Sequence, residues 1–156
     1  MFMTAKIFRP IFLAAFAALI LPSAFAKDAP TSAEQLRSEF ESALKSKDTN
    51  TITSLIYWEG VSANARALDE QEAAAIVKHE ITGVELAPWQ TNNLPLEVEK
   101  DGVRYKPNLK VTGMLKVEFA DRQGGVGAVL PFGKIGNGFL MAATVEEPVS
   151  TPAKKP

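Results

Sequence analysis

The residues best suited to chemistry in this chain are a single histidine and a short acidic run. His79 is the only histidine, and with Glu80 it begins like the H-E-x-x-H motif of zinc proteases. That motif needs a second histidine one helical turn later, but Gly83 stands at that position. The chain also has no cysteine that would supply a thiolate ligand. We therefore expect no metal site and no cofactor, which leaves His79 as a lone general base or as an exposed residue near a helix end.

The acidic run consists of Asp69, Glu70 and Glu72. These carboxylates are compatible with a general-acid pair or with a calcium site, although the spacing of an EF-hand loop is absent. A simpler explanation is that the run forms the first turn of a helix, where the helix dipole favours negative charge. We expect the simpler explanation to hold.

Two glycine clusters also require an explanation, one at 124, 125 and 127 and the other at 133, 136 and 138. A dinucleotide-binding loop places its glycines between a strand and a helix whose N-terminus holds the phosphate. Here the segments that follow both clusters are typical of strands. The glycines are therefore expected to form turns between strands.

The first 26 residues have the three parts of a cleavable signal peptide. Lys6 and Arg9 are positive, residues 11–21 form an uncharged apolar run, and the small residues Ala24 and Ala26 end the segment. The run is shorter than the roughly 20 apolar residues that a spanning helix needs. We therefore predict export to the periplasm or the medium, with no membrane span after cleavage; an uncleaved anchor is the alternative.

Composition limits what the exported chain binds. Without residues 1–26, 15 basic residues face 18 acidic ones, a net charge of −3. A weakly acidic protein offers no electrostatic attraction for nucleic acid or an anionic membrane. The basic stretch of Lys100, Arg104, Lys106 and Lys110 is faced at two positions by Glu97 and Glu99 if the chain forms a hairpin at 101–102, which predicts a solvated, largely neutral face. We divide the chain into a signal peptide (1–26), a linker (27–30), one domain (31–147) and a disordered tail (148–156).

Three helices are expected in the first half of the domain. A capping box at residues 31–34 precedes apolar residues at helical spacing, and this first helix should end near Lys47. A second helix is expected over 51–58. The acidic run is expected to begin a third helix. The apolar stripe of that helix would comprise Ala73, Ile76, Val77 and Ile81.

The second half of the domain is typical of strands. Asp101-Gly102 predicts a two-residue hairpin loop that pairs Glu99 with Arg104. Residues 109–119 alternate between apolar and polar, and Gly113 interrupts the apolar face, as at a bulge or bend. Apolar strands are expected over 126–132 and 138–145. The order predicts an α+β domain with three N-terminal helices on a mostly antiparallel sheet of about four to six strands.

This order of elements resembles the NTF2-like (SnoaL-like) superfamily. The likeness rests on a helix pair joined by residues 47–50, then Ile56-Tyr57-Trp58, Gly60-Val61, a further helix and a strand meander. It implies a curved sheet around a long helix, with a cone-shaped cavity. Enzymes of the superfamily use acidic residues, His or Tyr inside the cone. Residues 101–109 and 113–119 are also similar to a stretch of uncharacterised exported bacterial proteins.

We predict that the domain binds a small apolar or amphipathic ligand, or a protein partner, between the first helix and the sheet. A homodimer is left open. The alternative is a SnoaL-like isomerase, dehydratase or hydrolase that uses a cone-lining acidic residue or His79. Tyr57, Trp58, Trp89 and Tyr105 are compatible with a pocket lining, but aromatic residues of a small domain more often belong to the core. The candidate pocket residues are Phe40, Trp58, Trp89, Val111, Gly113, Leu115, Val117 and Phe119.

Intact-mass measurement of the exported protein is expected to give a chain that begins at Lys27. The reason is that signal peptidase cleaves after the small residue Ala26. A mass that retains residues 1–26 would show an uncleaved anchor instead.

Overall fold

A computed structural model describes residues 28–89, 96–121 and 126–149. The helices are α1 (Ala33–Ser46), α2 (Thr49–Ser54) and α3 (Ala63–Ile76). The strands are β1 (Ile56–Tyr57), β2 (Ile81–Pro88), β3 (Val98–Lys100), β4 (Val103–Pro107), β5 (Val111–Phe119), β6 (Val126–Ile135), β7 (Gly138–Ala142) and β8 (Thr144–Pro148). The predicted signal peptide and most of the predicted tail lie outside these residues.

The first helix begins one residue later than the capping pattern predicts. The Ser32 hydroxyl accepts a hydrogen bond from the Gln35 amide at 3.0 Å, and the Gln35 side chain accepts one from the Thr31 amide at 2.9 Å. The box is therefore formed by Ser32 and Gln35. The end of α1 near Lys47 is confirmed, since Lys47 adopts a left-handed conformation with φ 56°.

The start of α3 differs more seriously from the prediction. Ser62 caps this helix by accepting a hydrogen bond from the Ala65 amide at 3.1 Å. Asp69 therefore lies in the middle of α3 and not in a first turn. The explanation of the acidic run by the helix dipole is wrong, because that effect falls off within the first turn. Ile81, predicted for the stripe of this helix, begins β2 instead.

The α+β class is confirmed, and the strands form two sheets. One has the order β1-β7-β6-β5-β2 and the other the order β3-β4-β8. Within the described ranges, β1 and β7 pair in parallel and the other strand pairs are antiparallel. The described strands number eight, more than expected, and β1 precedes the third helix.

The two sheets meet where β7 ends and β8 begins, at Ala143. The side chain of Asn108 accepts a hydrogen bond from the Ala143 amide at 3.0 Å, and its backbone amide donates to the Ala143 carbonyl at 3.0 Å. The Asn108 side-chain NH₂ donates to the carbonyls of Tyr57 at 2.5 Å and Glu59 at 3.0 Å. This residue therefore joins both sheets to the segment between α2 and α3.

The hydrophobic core lies between α1 and the five-stranded sheet. Leu36 and Phe40 of α1 are 0% exposed, as are Leu115 and Val117 of β5. These residues belong to one packed cluster, which extends to Phe119. The apolar stripe of the first helix and the apolar face of the strand are thus confirmed as core-forming.

The hairpin at Asp101-Gly102 is confirmed. Both residues have positive φ, 53° and 75°, as a type I′ turn requires. Glu99 pairs with Arg104 in the predicted register. The neighbouring strand β8 runs to Pro148, so the predicted tail overlaps the end of the sheet; residues 150–156 lie outside the described part of the chain.

Replacing Gly102 with alanine is expected to lower the free energy of unfolding by about 1–2 kcal/mol, the cost of a left-handed conformation for an L-residue. A Cβ atom at this position meets no atom within 4 Å, so backbone strain alone is tested. Gly83→Ala is the matched control, because it also has open space but carries no positive φ. Urea denaturation of both variants measures the difference. A Gly102→Ala variant as stable as Gly83→Ala would contradict the type I′ turn.

Candidate functional site

A cavity of about 350 Å³ lies where the helices face the corner between the two sheets. Most of its wall is apolar, and five elements supply ten of the apolar residues. These ten are Phe40 and Leu44 of α1, Ile52 of α2, Ala73 and Ile76 of α3, and Val129, Leu130, Pro131, Met141 and Ala142 of β6 and β7. The cavity is therefore bounded by the main core on one side.

The polar part of the wall comes from α3 and the three-stranded sheet. Asp69 and Glu72 are three residues apart on α3, so they lie on the same helix face, and both line the cavity. Tyr105 of β4 and Thr144 of β8 line it from the sheet. One side of an otherwise apolar cavity thus carries two carboxylates and a phenol.

Asp69 occupies the most distinctive position in this wall. Its carboxylate accepts a hydrogen bond from the Thr144 amide at a long 3.4 Å. Burial raises the pKa of the Asp69 carboxyl above its usual range, and the nearby Glu72 charge acts in the same direction, while the Thr144 amide opposes them. Among the described residues, neither Asp69 nor Glu72 forms an ion pair.

The lysine that borders the cavity does not offset these carboxylates. Lys106 follows Tyr105 on β4, so the two side chains point to opposite faces of the sheet. The Lys106 amine pairs with the carboxylate of Glu147 on the neighbouring strand β8. The polar wall therefore keeps a negative character.

Of the predicted pocket residues, the structure places Phe40 and Trp89 in the cavity wall. Leu115, Val117 and Phe119 are buried in the core instead. Trp58 also lies outside the wall. Its indole N–H donates to the Thr53 carbonyl at 2.9 Å, and the Arg66 guanidinium lies 4.7 Å from its ring centre. Val111 does not line the cavity either.

Gly113 leaves no room for a ligand. A Cβ atom at this position would lie 2.5 Å from the ring of Phe132, its partner on β6. The space beside the glycine is therefore filled by that ring. The pairing of β5 and β6 shifts register between Val111 and Gly113, which confirms the predicted irregularity in the strand.

His79 lies outside the cavity as well. Its Nδ1 atom is 3.2 Å from a carboxylate oxygen of Asp121, and its ring stacks on Phe119 with 4.5 Å between centroids. His79 is exposed, so it is not a base inside the cone. The described residues contain no group of three or more His, Cys, Asp or Glu side chains that could hold a metal ion.

Sequence reasoning considered Asp69, Glu72 and Tyr105 but did not place them among its candidate pocket residues. A signal for the two acids was present, because Asp69, Glu72 and Ile76 fit the spacing of one helix face. To use this signal, Ser62 must be recognised as the N-cap of α3, because that cap places Asp69 and Glu72 in the middle of the helix. Tyr105 lines the cavity through the fold of the second sheet, which no local pattern indicates.

Comparisons with known proteins leave the family of this chain unassigned. Neither a protein-family model nor a curated protein matches it. One solved structure, a designed NTF2-like protein with five substitutions, aligns with 74% of this chain and 96% of its own length, at 11% identity and a TM-score of 0.37. In the described part of the chain, no helix has both the length and the apolar character of a bilayer span. The fold and the site define an α+β domain with a partly acidic cavity that is open to solvent on one side.

Replacing Asp69 with asparagine is expected to stabilise the protein at neutral pH. A raised pKa means that the ionised carboxylate disfavours the folded state. This cost is absent below the ordinary aspartate value of 3.8, grows as pH rises towards the folded-state pKa, and is complete above it. The gain of Asp69→Asn over wild type in urea denaturation should therefore be largest at pH 7 and vanish near pH 3.

Glu70→Gln is the matched control on the same helix. Glu70 is exposed and pairs with Arg66 at 2.9 Å, so its loss should cost at most a few tenths of a kcal/mol, roughly 0.3–0.5. A gain for Asp69→Asn that is as large at pH 3 as at pH 7 would show that ionisation of Asp69 is not its source.

Proposed function

We propose that this chain is an exported domain that binds a small amphipathic molecule in the cavity. The observation that carries the proposal is the cavity of about 350 Å³, with apolar walls and its polar groups on one side. Ligand sites in proteins are mostly apolar, with a few polar groups that fix the orientation of the ligand, and they begin at roughly 300 Å³. The predicted signal peptide supports the exported location.

A small ligand is better supported than a protein partner. Within residues 28–89, 96–121 and 126–149, the large apolar side chains that are most exposed are Leu68, Val98 and Val126, at 64%, 50% and 45%. They belong to three different elements, α3, β3 and β6, and single exposed apolar residues are normal on a protein surface. The cavity, by contrast, brings apolar and polar groups together around one space.

A second candidate function is catalysis by Asp69. This residue is half-buried among apolar neighbours and its pKa is raised, as is common for a general acid or base. An isomerase, dehydratase or hydrolase of the SnoaL-like type would use it in that role. Mass spectrometry of a bound ligand after release discriminates the two, because a binding protein returns the ligand unchanged.

The binding test uses N-phenyl-1-naphthylamine, an uncharged fluorescent probe, and Trp89 as the internal reporter. Replacing Trp58 by phenylalanine leaves Trp89 as the only tryptophan. We expect one saturable site, with probe emission enhanced and Trp89 emission changed in parallel. Absence of saturable binding would overturn the proposal.

Ala73→Leu should weaken binding of the probe at least tenfold, because Ala73 lines the cavity and the larger side chain fills it. Ala75→Leu is the matched control, since Ala75 is exposed on the same helix. Ala142→Leu fills the cavity from the opposite wall and guards against a failure of Ala73→Leu to fold. Equal binding by all three variants, each shown to be folded by thermal unfolding, would place the probe elsewhere.

A further inference from the structure

We propose that the ligand carries a positive charge at its polar end, as an alkylamine or a quaternary ammonium compound does. This inference rests on the proposed function and names the chemical class of its ligand. The cation would lie beside Asp69 and Glu72, and the apolar part would point towards the α1 side of the cavity.

The first argument is the unbalanced negative charge of the polar wall. Asp69 and Glu72 both line the same space, and the Glu72 charge adds to the burial that raises the pKa of the Asp69 carboxyl. The attraction between a half-buried carboxylate and an opposite charge is stronger where water is partly excluded. A ligand cation would supply the ion-pair partner that neither Asp69 nor Glu72 has among the described residues.

The second argument is that the nearby basic side chains are committed elsewhere. Lys106 pairs with Glu147, and Arg66 pairs with Glu70 and covers the ring of Trp58. Each of these two cations is thus already paired with a carboxylate other than Asp69 or Glu72.

The remaining charged groups near this wall leave it acidic. Lys100 is exposed at the hairpin end of β3 and does not line the cavity. Glu146 of β8 accepts a hydrogen bond from the Ser62 hydroxyl at 3.5 Å, which places a further carboxylate beside the start of α3. The charged groups that the helix and the sheet bring to this side are thus mainly negative.

The third argument is independent of charge and comes from the aromatic residues. Trp89 and Tyr105 both line the cavity. Tyr105 pairs with Glu146 on β8. Glu146 is two residues from Thr144, whose amide donates a hydrogen bond to Asp69. Aromatic faces attract amines and quaternary ammonium groups through the ring quadrupole. Carboxylates and aromatic rings around one cavity therefore favour the same class of ligand.

The opposite end of the cavity fits an apolar chain. Phe40, Ile52 and Met141 line it and belong to the buried core cluster. These side chains offer no group that would bind an anion or a sugar hydroxyl. The polarity of the cavity thus matches a molecule with one charged end and one apolar end.

The test compares three probes with the same ten-carbon chain, each kept below its critical micelle concentration. These are decyltrimethylammonium, decanol and decyl sulfate, measured by Trp89 emission in the Trp58→Phe background. We expect the ammonium compound to bind about tenfold more tightly than the alcohol, from ion-pair and cation–π attraction, and the sulfate most weakly. Added salt should reduce the preference for the ammonium compound.

The double variant Asp69→Asn, Glu72→Gln should bind the ammonium compound no better than the alcohol. Glu70→Gln, which removes one negative charge from the exposed side of α3, should keep the preference. Retention of the preference in the folded double variant would overturn the inference.

The two proposals fail in different ways. If decanol and N-phenyl-1-naphthylamine bind but the ammonium compound shows no advantage, the cationic class is wrong and the binding function stands. If none of the probes binds, the binding function itself fails.

Discussion

The fold of this protein depends on the hydrogen bonds of one asparagine. Asn108 binds both backbone groups of Ala143 and the carbonyls of Tyr57 and Glu59. Its side-chain amide therefore uses its oxygen and both hydrogens on backbone partners, so its full hydrogen-bonding capacity links these segments. Because Ala143 separates β7 from β8, these bonds hold the corner between the two sheets. The cavity lies at that corner, and Thr144, the next residue, supplies the amide that binds Asp69.

The inner face of the five-stranded sheet is closed by aromatic rings packed over glycines. The ring of Phe132 covers Gly113, and that of Phe119 would collide with any Cβ atom at Gly127. An aromatic ring beside a glycine fills the space that the missing side chain leaves. The face of β5 that belongs to the core is therefore filled by side chains. The cavity lies instead at the corner between the two sheets. A cleft between α1 and β5, as the sequence suggests, would require that space to be empty.

Local chemistry explains which elements the sequence predicts well. Asp101-Gly102 requires positive φ at both residues, so the hairpin and its register follow from two positions. In contrast, β1 pairs with β7 from the far end of the chain, and no pattern in two residues reveals a partner so distant. The acidic run on α3 is a third case. Carboxylates suit both a first turn and a cavity wall, and only the cap at Ser62 decides between them.

The ionised carboxylate of Asp69 lowers the stability of the folded protein. This cost is relevant to the role of the residue. The hydrogen bond from the Thr144 amide offsets only part of the effect of burial on Asp69. The pKa of the Asp69 carboxyl therefore remains raised, and its charged form remains disfavoured. An amide or a small polar residue would bind the same N–H group without that cost. Residues that weaken a fold without an evident structural gain are concentrated at functional sites. In this protein the costly carboxylate lies next to the corner that creates the cavity, so the same corner positions both the cavity and its charge.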